Sequence, residues 1–205
     1  LPLGLNTHFT PSAYGLAHTW AADHLLESLT SGTNPHSISS LGYPWIRQAQ
    51  FIGWGPSIAS WPLRGFLGPL GAFQLTFLLS LPVSAFTAGK FIQFTSQCGS
   101  KIAAPAGLLF AFSPYALATL QTGEAPKLQL WLIPLFGLAL LATLRLRSKK
   151  TLYLAAVCLI TSFTSPYYGL AFPLLAGMAA VVYWRKNQIK TAFAVLAGCG
   201  AGLLP

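Results

Sequence analysis

Apolar and polar positions fall in long blocks along this chain. Ile102 to Leu120 is almost wholly apolar. The polar break Gln121-Thr-Gly-Glu-Ala-Pro-Lys127 follows, and Leu128 to Leu144 is apolar again before Arg145-Leu-Arg-Ser-Lys-Lys150. Two apolar runs of bilayer-crossing length joined by a tight turn predict a transmembrane helical hairpin. Upstream, Gly65 to Gly89 predicts a first span and Lys90 to Lys101 a polar loop. Downstream, Leu152 to Thr164 predicts a short helix that stops at Ser165-Pro-Tyr-Tyr-Gly169, followed by runs at Leu170 to Trp184 and Thr191 to Leu204. The two runs around this break are short for about 30 Å of hydrocarbon. Their ends are therefore expected to border a cavity, where irregular backbone is tolerated below the membrane surface.

Leu1 to Leu63 has a different pattern. Thr10-Pro11 reads as a helix cap followed by proline in the first turn, which predicts a helix over Ser12 to Thr30 ending near Gly32. Ala21, Ala22, Leu25, Leu26 and Leu29 share one side of it; Trp20, Asp23, His24 and Glu27 share the other. An amphipathic helix of this kind suits the membrane surface. Ser31 to Leu41 reads as a loop. Tyr43 to Trp61 mixes Trp45, Trp54 and Trp61 with Arg47 and Gln48, which predicts a second interfacial helix or a re-entrant segment. The expected fold is all-α and polytopic. Residues 1–64 form an extracytoplasmic loop with interfacial helices, and residues 65–205 a transmembrane domain of about six spans.

Composition supports a membrane class. Hydrophobic residues make up 54% and charged residues 7%, against about 25% charged in average soluble chains. The net charge of +9 is explained by where the cations lie, so nucleic acid is not an expected partner. Lys90, Lys101, Arg145, Arg147, Lys149, Lys150, Arg185, Lys186 and Lys190 fall on one side of the alternating spans; Arg47, Arg64 and Lys127 fall on the other. Basic residues near span ends are retained in the cytoplasm. Asp23, Glu27 and Glu124, the three acids, and all four histidines are then extracytoplasmic. Cys98, Cys158 and Cys199 form no disulfide framework, and the two within apolar runs read as small core residues. The chain opens on Leu1 and stops at Pro205 after an apolar run, which reads as part of a longer protein preceded by a signal anchor or first span.

Gly107-Leu-Leu-Phe-Ala-Phe-Ser-Pro-Tyr115, then Leu130-Trp-Leu-Ile-Pro-Leu135, then the basic turn and Ser165-Pro-Tyr-Tyr-Gly169 form a succession that resembles bacterial membrane proteins of the GT-C glycosyltransferase superfamily. The likeness covers about a third of the chain. It implies a multi-pass protein of the bacterial cytoplasmic membrane that transfers a sugar from a polyprenyl-phosphate donor on the outer side. The family carries an early acidic residue after its first span. Leu3-Gly-Leu-Asn-Thr-His8 has none, so that acid either precedes Leu1 or is missing.

Such a transfer needs a base for the acceptor hydroxyl and cations for the departing phosphate. Asp23 is the first candidate base, with Glu27 and Glu124 as further candidates. Asp23, His24 and Glu27 alternatively bind a divalent ion, Mg²⁺ or Mn²⁺. The competing reading makes these three the solvated face of an interfacial helix, and Glu124 a turn residue paired with Lys127. Arg47 and Arg64 are candidate phosphate clamps or headgroup anchors. Tyr167 and Tyr168 line a sugar or lipid site, or belong to an aromatic belt. Small residues at Ala176-Gly177 and Gly198-Cys-Gly-Ala-Gly202 predict close helix packing. Expected partners are membrane lipids and a lipid-linked sugar. The rival function is a non-catalytic subunit packed against partner membrane subunits. A transporter is a weaker alternative, since no acid lies inside a span.

Overall fold

The computed structural model describes residues 13–34, 37–38, 47–48, 54–123, 125–146, 151–185 and 188–201. Helices α1 (Ala13–Ser31) and α2 (Trp54–Ser60) come first. A 3₁₀ turn, Trp61–Leu63, leads into α3 (Arg64–Ser96). Then follow α4 (Ser100–Ala111), α5 (Pro114–Thr122), α6 (Ala125–Leu128), α7 (Leu132–Leu146), α8 (Thr151–Thr164), α9 (Pro166–Arg185) and α10 (Ile189–Ala201). Between α1 and α2, strands β1 (Ser37–Ile38) and β2 (Arg47–Gln48) pair antiparallel, with Ile38 opposite Arg47. The expected loop and interfacial segment therefore include one two-residue antiparallel pairing, and the fold is otherwise helical, as expected.

Local chemistry sets the boundaries. Gly32 ends α1 at φ 69°. Gly68, at φ 71° and ψ 171°, separates the first turn of α3 from the long helix that starts at Pro69, a backbone region essentially reserved for glycine. The uninterrupted part of α3 thus begins at Pro69. Ser113 caps α5, its Oγ accepting from Ala116 N at 3.4 Å with Pro114 in the first turn, and Gly123 ends that helix at φ 74°.

Two expectations are corrected. The polar loop expected over Lys90 to Lys101 is mostly helix: α3 continues to Ser96, and only Gln97 to Gly99 link it to α4. The extension is held by packing, because the Phe91 ring fills the notch left by Gly137, where an added Cβ would lie 2.6 Å from it. The second arm of the hairpin starts at Leu132 instead of Leu128. Leu128 and Leu130 are instead buried among Phe73, Phe77 and Ala116, and this burial draws the chain out of helical register before α7.

The helices pack through small residues. Ala103, Ala111, Ala116, Ala139, Ala176 and Ala192 are fully buried, whereas Phe66 and Leu152 are each 81% exposed and Leu109 77%. That inversion suits lipid, where helices associate by close packing and large apolar side chains face outward. The tightest crossing is α3 against α4: a Cβ on Gly107 would lie 2.2 Å from the Ala85 carbonyl oxygen. Several buried hydroxyls are satisfied within their own helices, although Thr151 Oγ1 and Ser165 Oγ find no partner among the described residues. Ser84 donates to Ser80 O at 2.6 Å, Thr143 to Ala139 O at 2.8 Å and Thr161 to Val157 O at 2.6 Å, so these apolar helices carry no unmet hydroxyl at those positions.

Two clusters form the core. One joins α7, α8, α9 and α10 around Phe136, Leu154, Phe172 and Val195, with the Phe136 and Phe172 rings stacked at 4.3 Å. The other joins α1, α3, α5 and α6 around Ala22, Phe73, Phe77 and Leu128. Tyr168 packs against both. Cys158 and Cys199 are buried as expected, with their sulfurs 3.7 Å apart. Three helical stretches are long and apolar enough to cross a membrane: Trp54–Ser96, Ser100–Thr122 and Tyr167–Arg185. Leu132–Leu144, Thr151–Thr164 and Ile189–Gly200 are apolar but shorter, each spanning about 20 Å at 1.5 Å per residue.

Candidate functional site

The site forms where α1 meets the start of α3. Ala22, Leu25 and Leu26 are buried and seat α1 on α2 and α3. Leu29, expected on the same face, is 51% exposed, while Ser28 is buried. The buried stripe is therefore rotated from the expected one. Gly55 fixes α2 in turn: its backbone lies so close to Thr164 of α8 that an added Cβ would sit 2.8 Å from the Thr164 Cα. The α8–α9 break thus abuts the platform that carries α1.

Seating α1 in this way leaves Asp23 and Glu27, one turn apart, along its edge. The 3₁₀ turn at Trp61–Leu63 brings Arg64 to face them. The Arg64 guanidinium donates from Nη2 to Asp23 Oδ1, forming an ion pair between groups 41 positions apart in sequence. Among the described residues this is the one ion pair. Its side chains are 23% exposed for Arg64 and 39% for Asp23, so water screens the pair. A cavity of about 420 Å³ opens beside it, lined by Asp23, Leu26, Glu27, Thr30, Trp61 and Arg64. That volume lies within the range of roughly 300–1,000 Å³ of small-molecule sites.

The other nominated residues separate from this cavity. The His24 ring stacks on Trp20, centroids 5.3 Å apart and 4° from parallel, and its Nε2 is buried without a hydrogen-bond partner among the described residues. Asp23, His24 and Glu27 do not converge as a metal-ligand set, and no other three such side chains do among the described residues. The arrangement therefore does not fit the divalent-ion reading as a three-ligand site. Tyr167 lies under the Lys127 ammonium, 5.2 Å from ring centroid to Nζ. The Tyr168 hydroxyl donates to Lys127 O at 2.9 Å, and its ring stacks on Phe172 at 5.6 Å. Both tyrosines tie the α6 turn to α9, and neither lines the cavity. Arg47 lies in β2, with its side chain outside the described part; Glu124 lies outside the described residues.

Thr30 and Trp61 line the site without having been nominated. Thr30 was legible in principle, since positions 23, 27 and 30 share a helical face at spacings of four and three. Trp61 carries no sequence signal beyond that of a headgroup aromatic. The family models, curated proteins and solved structures compared with this chain contain no match to it.

Proposed function

We propose that the chain is the membrane-embedded body of a transferase that takes a sugar from a polyprenyl-phosphate donor on the extracytoplasmic side. Its six apolar helical segments would serve as spans, with α1 and α2 at the outer surface. The observation that carries this reading is the cavity uniting two carboxylates, Asp23 and Glu27, with the Arg64 guanidinium beside an apolar helix bundle. Arg64 suits a phosphate oxygen pair because its donors form a rigid fork. In the resting protein one arm of that fork, Nη2, is held by Asp23. A donor phosphate would displace the carboxylate from Arg64 and free it. The acceptor hydroxyl then passes its proton to Asp23 as its oxygen bonds to the anomeric carbon. The bond from that carbon to the phosphate oxygen breaks, and the phosphate leaves with the electron pair, held by Arg64.

The test is sugar transfer by the intact protein in reconstituted membranes, from a radiolabelled polyprenyl-phosphate sugar. Asp23→Asn is expected to slow turnover by about a hundredfold or more, the range of a lost general base. Transfer at the wild-type rate by the Asp23→Asn, Glu27→Gln double variant would sink the assignment. A second reading has one observation in its favour: the Asp23–Arg64 pair by itself ties α1 to the start of α3. In that reading the chain is a packing subunit and the pair is structural, so neutralising it would change stability or assembly alone.

A further inference from the structure

A second cavity, independent of the Asp23–Arg64 site, lies between α9 and α10. It has a volume of about 310 Å³ and is lined by Gly177, Ala180, Val181, Trp184, Arg185 and Leu196. Its floor is small: a Cβ added to Gly177 would meet nothing within 4 Å, and Ala180 is buried. Its mouth is aromatic and basic. Trp184 is 51% exposed and leans on the Phe193 ring, centroids 5.8 Å apart. Arg185 has no ion-pair partner among the described residues. The groove runs along α9, a helix long and apolar enough to cross a membrane. Arg185 is the last residue of that helix, and Lys186 and Lys190 stand close to it in sequence.

An apolar slot that starts at a tryptophan and an arginine at the end of a spanning helix matches a phospholipid in both halves. An acyl chain fills the slot along Gly177, Ala180, Val181 and Leu196, and a negatively charged headgroup meets Arg185. Basic pockets between helices at a membrane face recognise anionic lipids by this division of labour, and indole at the mouth suits the headgroup level. We infer that the α9–α10 groove is a binding site for one anionic phospholipid, with its phosphate on Arg185. The inference rests on the membrane reading of α9 and is separate from the transferase proposal.

Trp184 is a built-in reporter. The intact chain is reconstituted in phosphatidylcholine vesicles that contain, at equal mole fraction, either phosphatidylglycerol or phosphatidylcholine brominated in the upper part of one acyl chain. Quenching assigned to Trp184 is the difference between wild type and Trp184→Phe. Brominated phosphatidylglycerol is expected to be favoured roughly fivefold, the worth of one basic group near an anionic surface. Arg185→Gln should bring the two lipids level. Gly177→Leu, which fills the floor, should lower quenching by both. Equal quenching by the two lipids in wild type would overturn the inference. So would a preference that survives Arg185→Gln, or a Trp184 that neither lipid quenches, the last meaning that protein covers the groove.

Discussion

At the scale of residues, the account turns on Asp23, Glu27 and Arg64. Two long side chains held in a partly exposed pair contribute little net stability, about 1 kcal/mol or less. Asp23→Ala and Arg64→Ala are therefore expected to leave thermal unfolding in detergent nearly unchanged while sugar transfer collapses. A loss of several kcal/mol from either change would instead mark the pair as a structural tie. The acidic edge of α1 was legible in the sequence, because Asp23 and Glu27 recur at helical spacing opposite Ala22, Leu25 and Leu26. That Arg64 would be the partner was not. It depends on a 3₁₀ turn and on the seating of α1, neither of which leaves a local pattern. The rotation that exposes Leu29 and buries Ser28 was hidden for the same reason: the tertiary contact, not side-chain polarity, chose the buried stripe.

At the scale of elements, helix existence was readable from apolar runs, and helix ends were readable where glycine or proline stood. Gly68-Pro69 and Ser113-Pro114 each mark a boundary by backbone chemistry. The extension of α3 to Ser96 and the late start of α7 were not readable, because both depend on distant partners, Gly137 for Phe91 and Phe73 for Leu128. The late glycines were expected to mark close packing. Gly198 does so, against Leu154 and Thr151, but Gly177 and Gly200 face open space, and the closest approach lies earlier, at Gly107. Gly107→Ala would push a methyl into the Ala85 carbonyl oxygen and is expected to cost about 1–3 kcal/mol, whereas Gly177→Ala should be close to neutral. Gly68→Ala, forced to keep a positive φ, should cost about 1–3 kcal/mol. Denaturant titration of the three variants in one detergent checks these values, and equal stabilities would show that the helix crossings are looser than described.

At the scale of the whole molecule, helices long and apolar enough to cross a membrane point to a bundle in lipid, and the proposed six-span topology would gather most of the cations at one side. That asymmetry gives the proposed orientation and can be tested on a native thiol. Cys98 sits in the short α3–α4 link and is partly exposed, while Cys158 and Cys199 are buried. A membrane-impermeant maleimide is expected to modify Cys98 only after cells are permeabilised, with Cys98→Ser as the blank. Labelling of intact cells would reverse the orientation and place the Asp23–Arg64 cavity on the cytoplasmic side. What the sequence could not reveal at this scale is how the two core clusters meet. Tyr168 bridges them, and nothing in the Ser165 to Gly169 motif distinguishes that role from a place in an aromatic belt.

The most direct measurement is binding of polyprenyl phosphate to the intact protein in detergent, read by native mass spectrometry for wild type, Arg64→Gln and Arg185→Gln. The account predicts a one-to-one adduct in wild type that survives Arg185→Gln. Arg64→Gln should weaken it by about tenfold or more, the worth of a hydrogen bond to a charged group. An adduct that persists undiminished in Arg64→Gln would contradict the account and leave the Asp23–Arg64 pair as a tie between helices.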